Sequence, residues 1–304
     1  MNNGSFLTSW SFDPYIAILA AVATYSFFLG KQRLVKADEK SLIPGQSKQS
    51  LFLIGIVILV FATMSPINHF SHIYLWDRVL QTLLIIAYAP AMIVMSAPWL
   101  YLKTGLASIF RRSDAVVEGS PRNTNPIWRF LTVPLVSFLI YNVTMVIWLV
   151  PSSISFAERY AIANEAMHIS QLFAGLLLWL HLVDTPPFQP RVSPLIKRVV
   201  PTYFTGVISW VFAMVLGFAN APFYHVYINA KNTLSPMGDQ EIASAILFII
   251  VAGPFAYAGV NNTRRWMASE NEYRRKPELD VSADNSGESA ARGSKKKRKI
   301  PGLT

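Results

Sequence analysis

The chain has 304 residues, 52% hydrophobic and only 14% charged, a balance that excludes a soluble globular domain. Its formal net charge of +10 would suggest a nucleic-acid partner in a soluble protein, but the 27 Lys and Arg residues gather in certain loops and in the tail, where they report membrane topology instead. Cysteine is absent, which removes disulfides, thiolate metal sites and dithiol redox chemistry, so any metal would have to use His, Met, Asp or Glu.

A helix needs roughly 20 apolar residues to cross a hydrocarbon core about 30 Å thick. Seven runs meet that need, at Pro14 to Gly30, Leu51 to Pro66, Leu75 to Leu102, Trp128 to Val150, Tyr160 to Val183, Val199 to Ala219 and Gln240 to Val260. The first is preceded by MNNGSFLTSWSFDPY, which lacks the basic region of a cleaved secretory signal, so it is expected to be a permanent span. The third is longer than one perpendicular span and holds Pro90 and Pro98, which predicts tilt, a kink or an interfacial end. Gly253-Pro254 predicts a kink in the seventh. From Arg264 the composition turns to Ser, Gly, Glu, Lys and Arg, ending in GSKKKRKIPGLT. Such a tail cannot bury a core; it is expected to be disordered, with its basic run free to meet anionic lipid. The fold class expected is therefore an all-α membrane protein, with seven transmembrane helices in residues 1–263 and a basic tail in 264–304.

Charge sets the orientation. The segment after the first span carries five Lys or Arg, Lys103 to Arg129 carries five more, and RVSPLIKR carries three, whereas Arg78, Arg159 and Lys231 stand alone in the alternate connections. The positive-inside rule then puts the amino terminus outside and the carboxyl tail in the cytoplasm, as an odd number of spans requires. A bacterial cell membrane, crossed several times, is the setting this implies.

With that topology the polar groups collect on the outer side: Asp13, His69, His72, Asp77, Arg78, His225, Asp239 and Gln240 fall at or beyond the outer ends of spans. Gln81 and Thr82 lie one turn below Arg78. His168 sits eight residues into the fifth span, about 12 Å deep at 1.5 Å per residue. Asn164, His168, Gln171 and Gly175, with Glu165, form one polar stripe on that helix, and polar groups in a bilayer need partners. The stripe reads either as hydrogen-bonding glue between helices or as a ligand or metal site. Thr202, Gly206, Ser209, Ala213 and Gly217 form a small-residue stripe on the sixth span, read as a packing face. Met92 and Met95 share a helix face that could offer soft donors, although methionine at helical spacing usually fills space. No nucleophile elbow, phosphate loop or HExxH pattern occurs, and nothing points to an enzyme.

Several stretches together resemble the CtaG family of cytochrome c oxidase assembly factors, over roughly residues 8 to 262. They are SWSFDPYIAILA, MSPINHFSH, APAMIVMSAPWLYL with Ser96 where Gly is usual, NEAMHISQLFAGLLLW, and APFYHVYINAKNTLSPMGDQEIASAILF. The resemblance implies a role in maturing a haem-copper oxidase, with oxidase subunits or their assembly intermediates as partners and copper handled on the outer face. Yet the family's His-Met-x-Gln-His pattern falls on Arg78, Val79, Leu80, Gln81 and Thr82, leaving only the Gln. Its fourth-span His falls on Leu149, and its His-x-x-Glu-His falls on Asn164, Met167 and His168, leaving one histidine.

An arginine cannot donate a lone pair to a metal; Arg78 instead suits an anion, from Asp77, Glu165, Asp239, a partner protein or a haem propionate. If copper binds, the expected ligands are His168 with His225 or His69. Three readings stand open: an oxidase assembly factor, a structural accessory subunit that has lost metal binding, and a permease. The last needs a polar path to both sides, which the inner halves of these spans lack.

Overall fold

The computed structural model describes residues 10–37, 45–109, 130–131, 133–185, 196–228 and 234–271, and every regular element among them is a helix. In chain order these are α1 (Pro14–Lys36), α2 (Gln46–Met64), α3 (Pro66–Phe70), α4 (Leu75–Leu83), a π-helical turn (Leu84–Tyr88), α5 (Ala89–Met95), α6 (Trp99–Ile109), α7 (Pro134–Leu149), α8 (Pro151–Arg159), α9 (Ala161–Leu182), α10 (Ile196–Gly217), α11 (His225–Ile228), α12 (Pro236–Ile250) and α13 (252–271). The segments 38–44, 110–129, 186–195 and 229–233 and the tail from 272 lie outside the described residues, and with them the greater part of the basic tail. The helix α13 runs past Arg264, where the change in composition predicts the start of the tail.

Among the described residues five helices are long and apolar enough to cross a membrane, and the pair α7–α8, bent by 73°, makes six if it counts as one broken span. Burial supports the same solvent. Val57 is 63% exposed and Ile18, Leu135, Val211 and Ile249 are exposed with it, while Ser26, Thr63, Gln81, Gln171 and Ser209 are buried. Apolar side chains outside and hydrogen-bonding groups inside is the arrangement lipid selects. The largest apolar cluster packs Trp179, Tyr141 and Phe255 among Leu83, Leu178 and Leu247, with the Trp179 and Phe255 rings stacked at 5.6 Å.

Prolines shape the bundle through the donors they lack. Pro90 cannot donate to Ile86, and the chain widens into the π turn just before it. Gly175 of α9 approaches the exposed Ile86 carbonyl so closely that a Cβ there would collide with it. Pro254 likewise leaves the Ile250 carbonyl without its helical donor, α12 stops there, and the Tyr88 hydroxyl donates to that oxygen at 2.7 Å. The helix is thus interrupted at Val251, just before Gly253-Pro254, and the freed carbonyl is braced by another helix.

The third apolar run departs from expectation. It is one helical stretch only as far as Met95; Ala97 then takes φ 53°, and α6 doubles back. The close contacts of α6 with α1 pair Tyr101 with Gly30 and Gly105 with Ser26, so the two helices run antiparallel. The physical cause is Pro98, which bars its predecessor from a helical conformation, together with two glycines that let the backbones touch. The small-residue stripe on α10 is also only partly a seam: Thr202, Ser209 and Ala213 are buried, but Gly206 faces open space while Gly217 sits against Ser244.

Candidate functional site

The polar residues at the Arg78 end are arranged in two connected groups. Arg78 lies one turn into α4 and is only 1% exposed. One guanidinium nitrogen donates to Gln81 Oε1 and to Asn164 Oδ1, each at 3.0 Å. The other is ion-paired with Glu158 of α8 and lies 3.4 Å from His72 Nδ1. Glu158 also meets His72 Nδ1, at 2.5 Å. A buried guanidinium requires both charge and hydrogen-bond compensation; here Glu158 supplies the charge and both terminal nitrogens are bonded, while Nε has no partner among the described residues. The counter-charge comes from Glu158, not from Asp77, Glu165 or Asp239 as the sequence suggested.

Gln81 extends the group. Its amide nitrogen donates to the Ala62 carbonyl at 2.9 Å and to Asn68 Oδ1 at 2.8 Å, and Asn68 in turn donates to Ser11 Oγ at 2.8 Å. Thr82 accepts from Gln171 at 3.4 Å, joining α4 to α9. The polar stripe on α9 therefore faces other helices: Asn164, His168 and Gln171 are buried, and Glu165 is half-buried.

Asp239 and Gln240 serve the ends of helices. Asp239 accepts from the backbone N–H groups of Leu75 (2.8 Å) and Trp76 (3.0 Å), so α12 supplies the N-terminal cap of α4 from 164 residues away. Gln240 accepts from Phe223 N–H at 2.8 Å and donates to the Leu216 carbonyl at 3.0 Å, closing the end of α10.

The second group surrounds His168. Its Nδ1 lies 3.8 Å from Asp13 Oδ2, and Asp13, Glu165 and His168 bring one potential ligand atom each within 4.8 Å of one another. Asp13 is the N-cap of α1: its Oδ1 accepts from Tyr15 and Ile16 N–H, both at 3.0 Å. Neither His69 nor His225 belongs to this group; both are exposed, His69 on α3 beside the Phe70 ring and His225 on α11. Met92 and Met95 lie on α5, beyond the π turn from Arg78. A cuprous ion asks for thioether or imidazole donors, and one imidazole with two carboxylates does not fit that request.

Two residues of this end escape a reading of the sequence alone. Glu158 stands in a short polar connection with no periodic pattern to place it. Asp13 is visible as the Asp of an Asp-Pro helix start, a capping signal, but nothing in the sequence shows its second oxygen meeting α9.

At the opposite end of the bundle Asp184 accepts from Arg198 at 2.7 Å and pairs with Arg265, while Asn262 donates to the Leu182 carbonyl at 2.9 Å. Burial pushes the Asp184 carboxyl up, but Arg198 and Arg265 outweigh it and hold it below the ordinary carboxylate range.

A family profile described as "Cytochrome c oxidase caa3 assembly factor (Caa3_CtaG)" matches residues 25–269. It begins after the first half of α1, so Asp13 lies outside it. No match was found among curated proteins or among solved structures. With most of its length matched, and an all-helical body suited to lipid, the chain belongs to the caa3-type cytochrome c oxidase assembly factor family.

Proposed function

We propose that this chain assists the assembly or stabilisation of a haem-copper cytochrome c oxidase in a bacterial cell membrane, working from its Arg78 end on the outer face. The observation that carries this reading is the family match over residues 25–269. The chain would cross the membrane seven times: the five apolar helices, the bent pair α7–α8, and α9, whose 22 residues extend about 33 Å. The amino terminus would then be outside and the carboxyl tail in the cytoplasm, which the loop charges support. The chain acts as a binding partner and not as a catalyst, and its basic tail would hold anionic lipid at the inner surface.

A second reading, a structural accessory subunit, is favoured by one observation. Arg78 stands where the family places a metal ligand, and both terminal nitrogens of its guanidinium have partners within the chain in Glu158, Gln81 and Asn164. Affinity capture of the tagged chain after a short metabolic pulse separates the two. An assembly factor captures newly made oxidase subunits in excess over the mature enzyme. Recovery in fixed stoichiometry with mature oxidase assigns the accessory role, and capture of no oxidase subunit contradicts both.

A further inference from the structure

Unsatisfied polar atoms are expensive away from water. Around His168 such atoms gather: both ring nitrogens of His168, Asp13 Oδ2 and Glu165 Oε2 are buried without a hydrogen-bond partner among the described residues, and one potential ligand atom from each of the three residues lies near the other two. His168 is 1% exposed and Asp13 5%. Nearby, Gln81, Asp239 and Gln240 are hydrogen-bonded, and Asp77, Arg78 and Gln171 each keep a single unpartnered atom; at the His168 group the unpartnered atoms lie together. One nitrogen of a neutral imidazole keeps its lone pair, and beside a carboxylate oxygen from Asp13 and from Glu165 it completes a set of three donors that a cation would satisfy.

We propose that Asp13, Glu165 and His168 form a site for one divalent metal cation. The donor atoms lie within 4.8 Å of one another. Ligands about 2.1 Å from a tetrahedral ion stand about 3.4 Å apart, so side-chain movements of about one ångström complete the contact. Asp13 is already oriented as a ligand, because two backbone N–H groups of α1 hold Oδ1 and leave Oδ2 for the ion. Glu165 and His168, three residues apart on α9, share a helix face.

Charge selects the ion. Two carboxylates and a neutral imidazole balance a dication, whereas a monovalent ion would leave one negative charge in a poorly solvated place. Two oxygens and one nitrogen are hard to borderline donors, suited to zinc, cupric or manganous ions and poorly suited to cuprous ion. The half-buried Glu165 leaves the group a route to the surface. The exposed histidines, His69, His72 and His225, take no part. Asp13 precedes the stretch that the family profile covers, and the site is independent of the assembly role, which can hold whether or not a metal binds here.

The test uses the full-length chain, purified in detergent and stripped by a chelator, with equilibrium dialysis against zinc ion and metal content read by mass spectrometry. The native chain is expected to hold one zinc per chain. Glu165→Gln, nearly isosteric and half-buried, and His168→Ala are each expected to weaken binding roughly 100-fold, with helical circular dichroism unchanged. A His69→Ala/His225→Ala double variant is expected to bind as the native chain does. Sub-stoichiometric zinc in the native chain overturns the proposal, as does full binding by both Glu165→Gln and His168→Ala, or loss confined to the His69/His225 variant. Tighter binding of cuprous than of zinc ion, each presented in a buffered chelator, would overturn the assignment of a dication.

Discussion

At the Arg78 end of the bundle one arginine is sealed among Glu158, Gln81, Asn164 and His72, whereas at the Asp184 end a carboxylate within reach of water is shared by a buried arginine, Arg198, and an exposed one, Arg265. The Arg78 side chain is 1% exposed; those of Arg265 and Asp184 are 45% and 40% exposed. The same ion-pair chemistry therefore has different consequences. Around Arg78 each partner is obligatory, because a buried guanidinium left without its counter-charge is strongly destabilising. Around Asp184 water and salt can replace the exposed Arg265, and Asp184 itself stays in reach of water. The difference explains why Gln81 of α4 and Asn164 of α9 lie inside the bundle: they serve a charge that cannot reach solvent.

The largest effect is expected from Glu158→Ala, which strands Arg78 and should cost about 3–5 kcal/mol of stability, read by thermal or denaturant unfolding of the purified chain in detergent. Adding Arg78→Met to Glu158→Ala should recover much of that loss, because no unpaired charge then remains. A loss below about 1 kcal/mol for Glu158→Ala, the range of exposed pairs, would erase the contrast between the two ends.

Asp239→Ala removes the cap that α12 provides to α4 and should cost about 1 kcal/mol, with faster amide exchange at Leu75 and Trp76. A change in the opposite direction is expected at Ala97, whose φ of 53° is unfavourable for a residue with a Cβ. Ala97→Gly should stabilise the turn into α6 by about 1 kcal/mol, and a destabilised variant would show that the turn is not strained.

Arg265→Ala should change stability by less than about 0.5 kcal/mol. Its pH dependence has a definite sign. The Asp184 carboxyl is held below its ordinary value in the folded chain, so its contribution is complete above the unfolded carboxylate pKa, about 3.9. That contribution fades as pH falls through the lower folded value. The small difference between native chain and Arg265→Ala should therefore vanish in acid, and a difference that grows below about pH 4 would contradict the pairing.

The apolar runs were legible in the sequence to within about five residues for the helices α2, α9 and α10, because a bilayer demands length and hydropathy from each helix separately. The expected Tyr160–Val183 and the observed Ala161–Leu182 differ by one residue at each end. What one run cannot show is where its far half packs. Leu75 to Leu102 is uniformly apolar after its first turns, yet Pro98 and the glycines of α1 and α6 turn its last part back. The site followed the same rule. The stripe on α9 and the polar start of α4 were visible by period, whereas the cap from Asp239, the counter-ion Glu158 and the meeting of Asp13 with His168 depend on tertiary neighbours.

The assembly role is tested most directly by the oxidase content of membranes from cells lacking this chain. Reduced-minus-oxidised spectra should show a marked fall in mature cytochrome c oxidase at unchanged subunit transcript levels. The native gene should restore the signal, and Glu158→Ala should restore it poorly. A mature oxidase signal equal to that of the parent strain would contradict an assembly role.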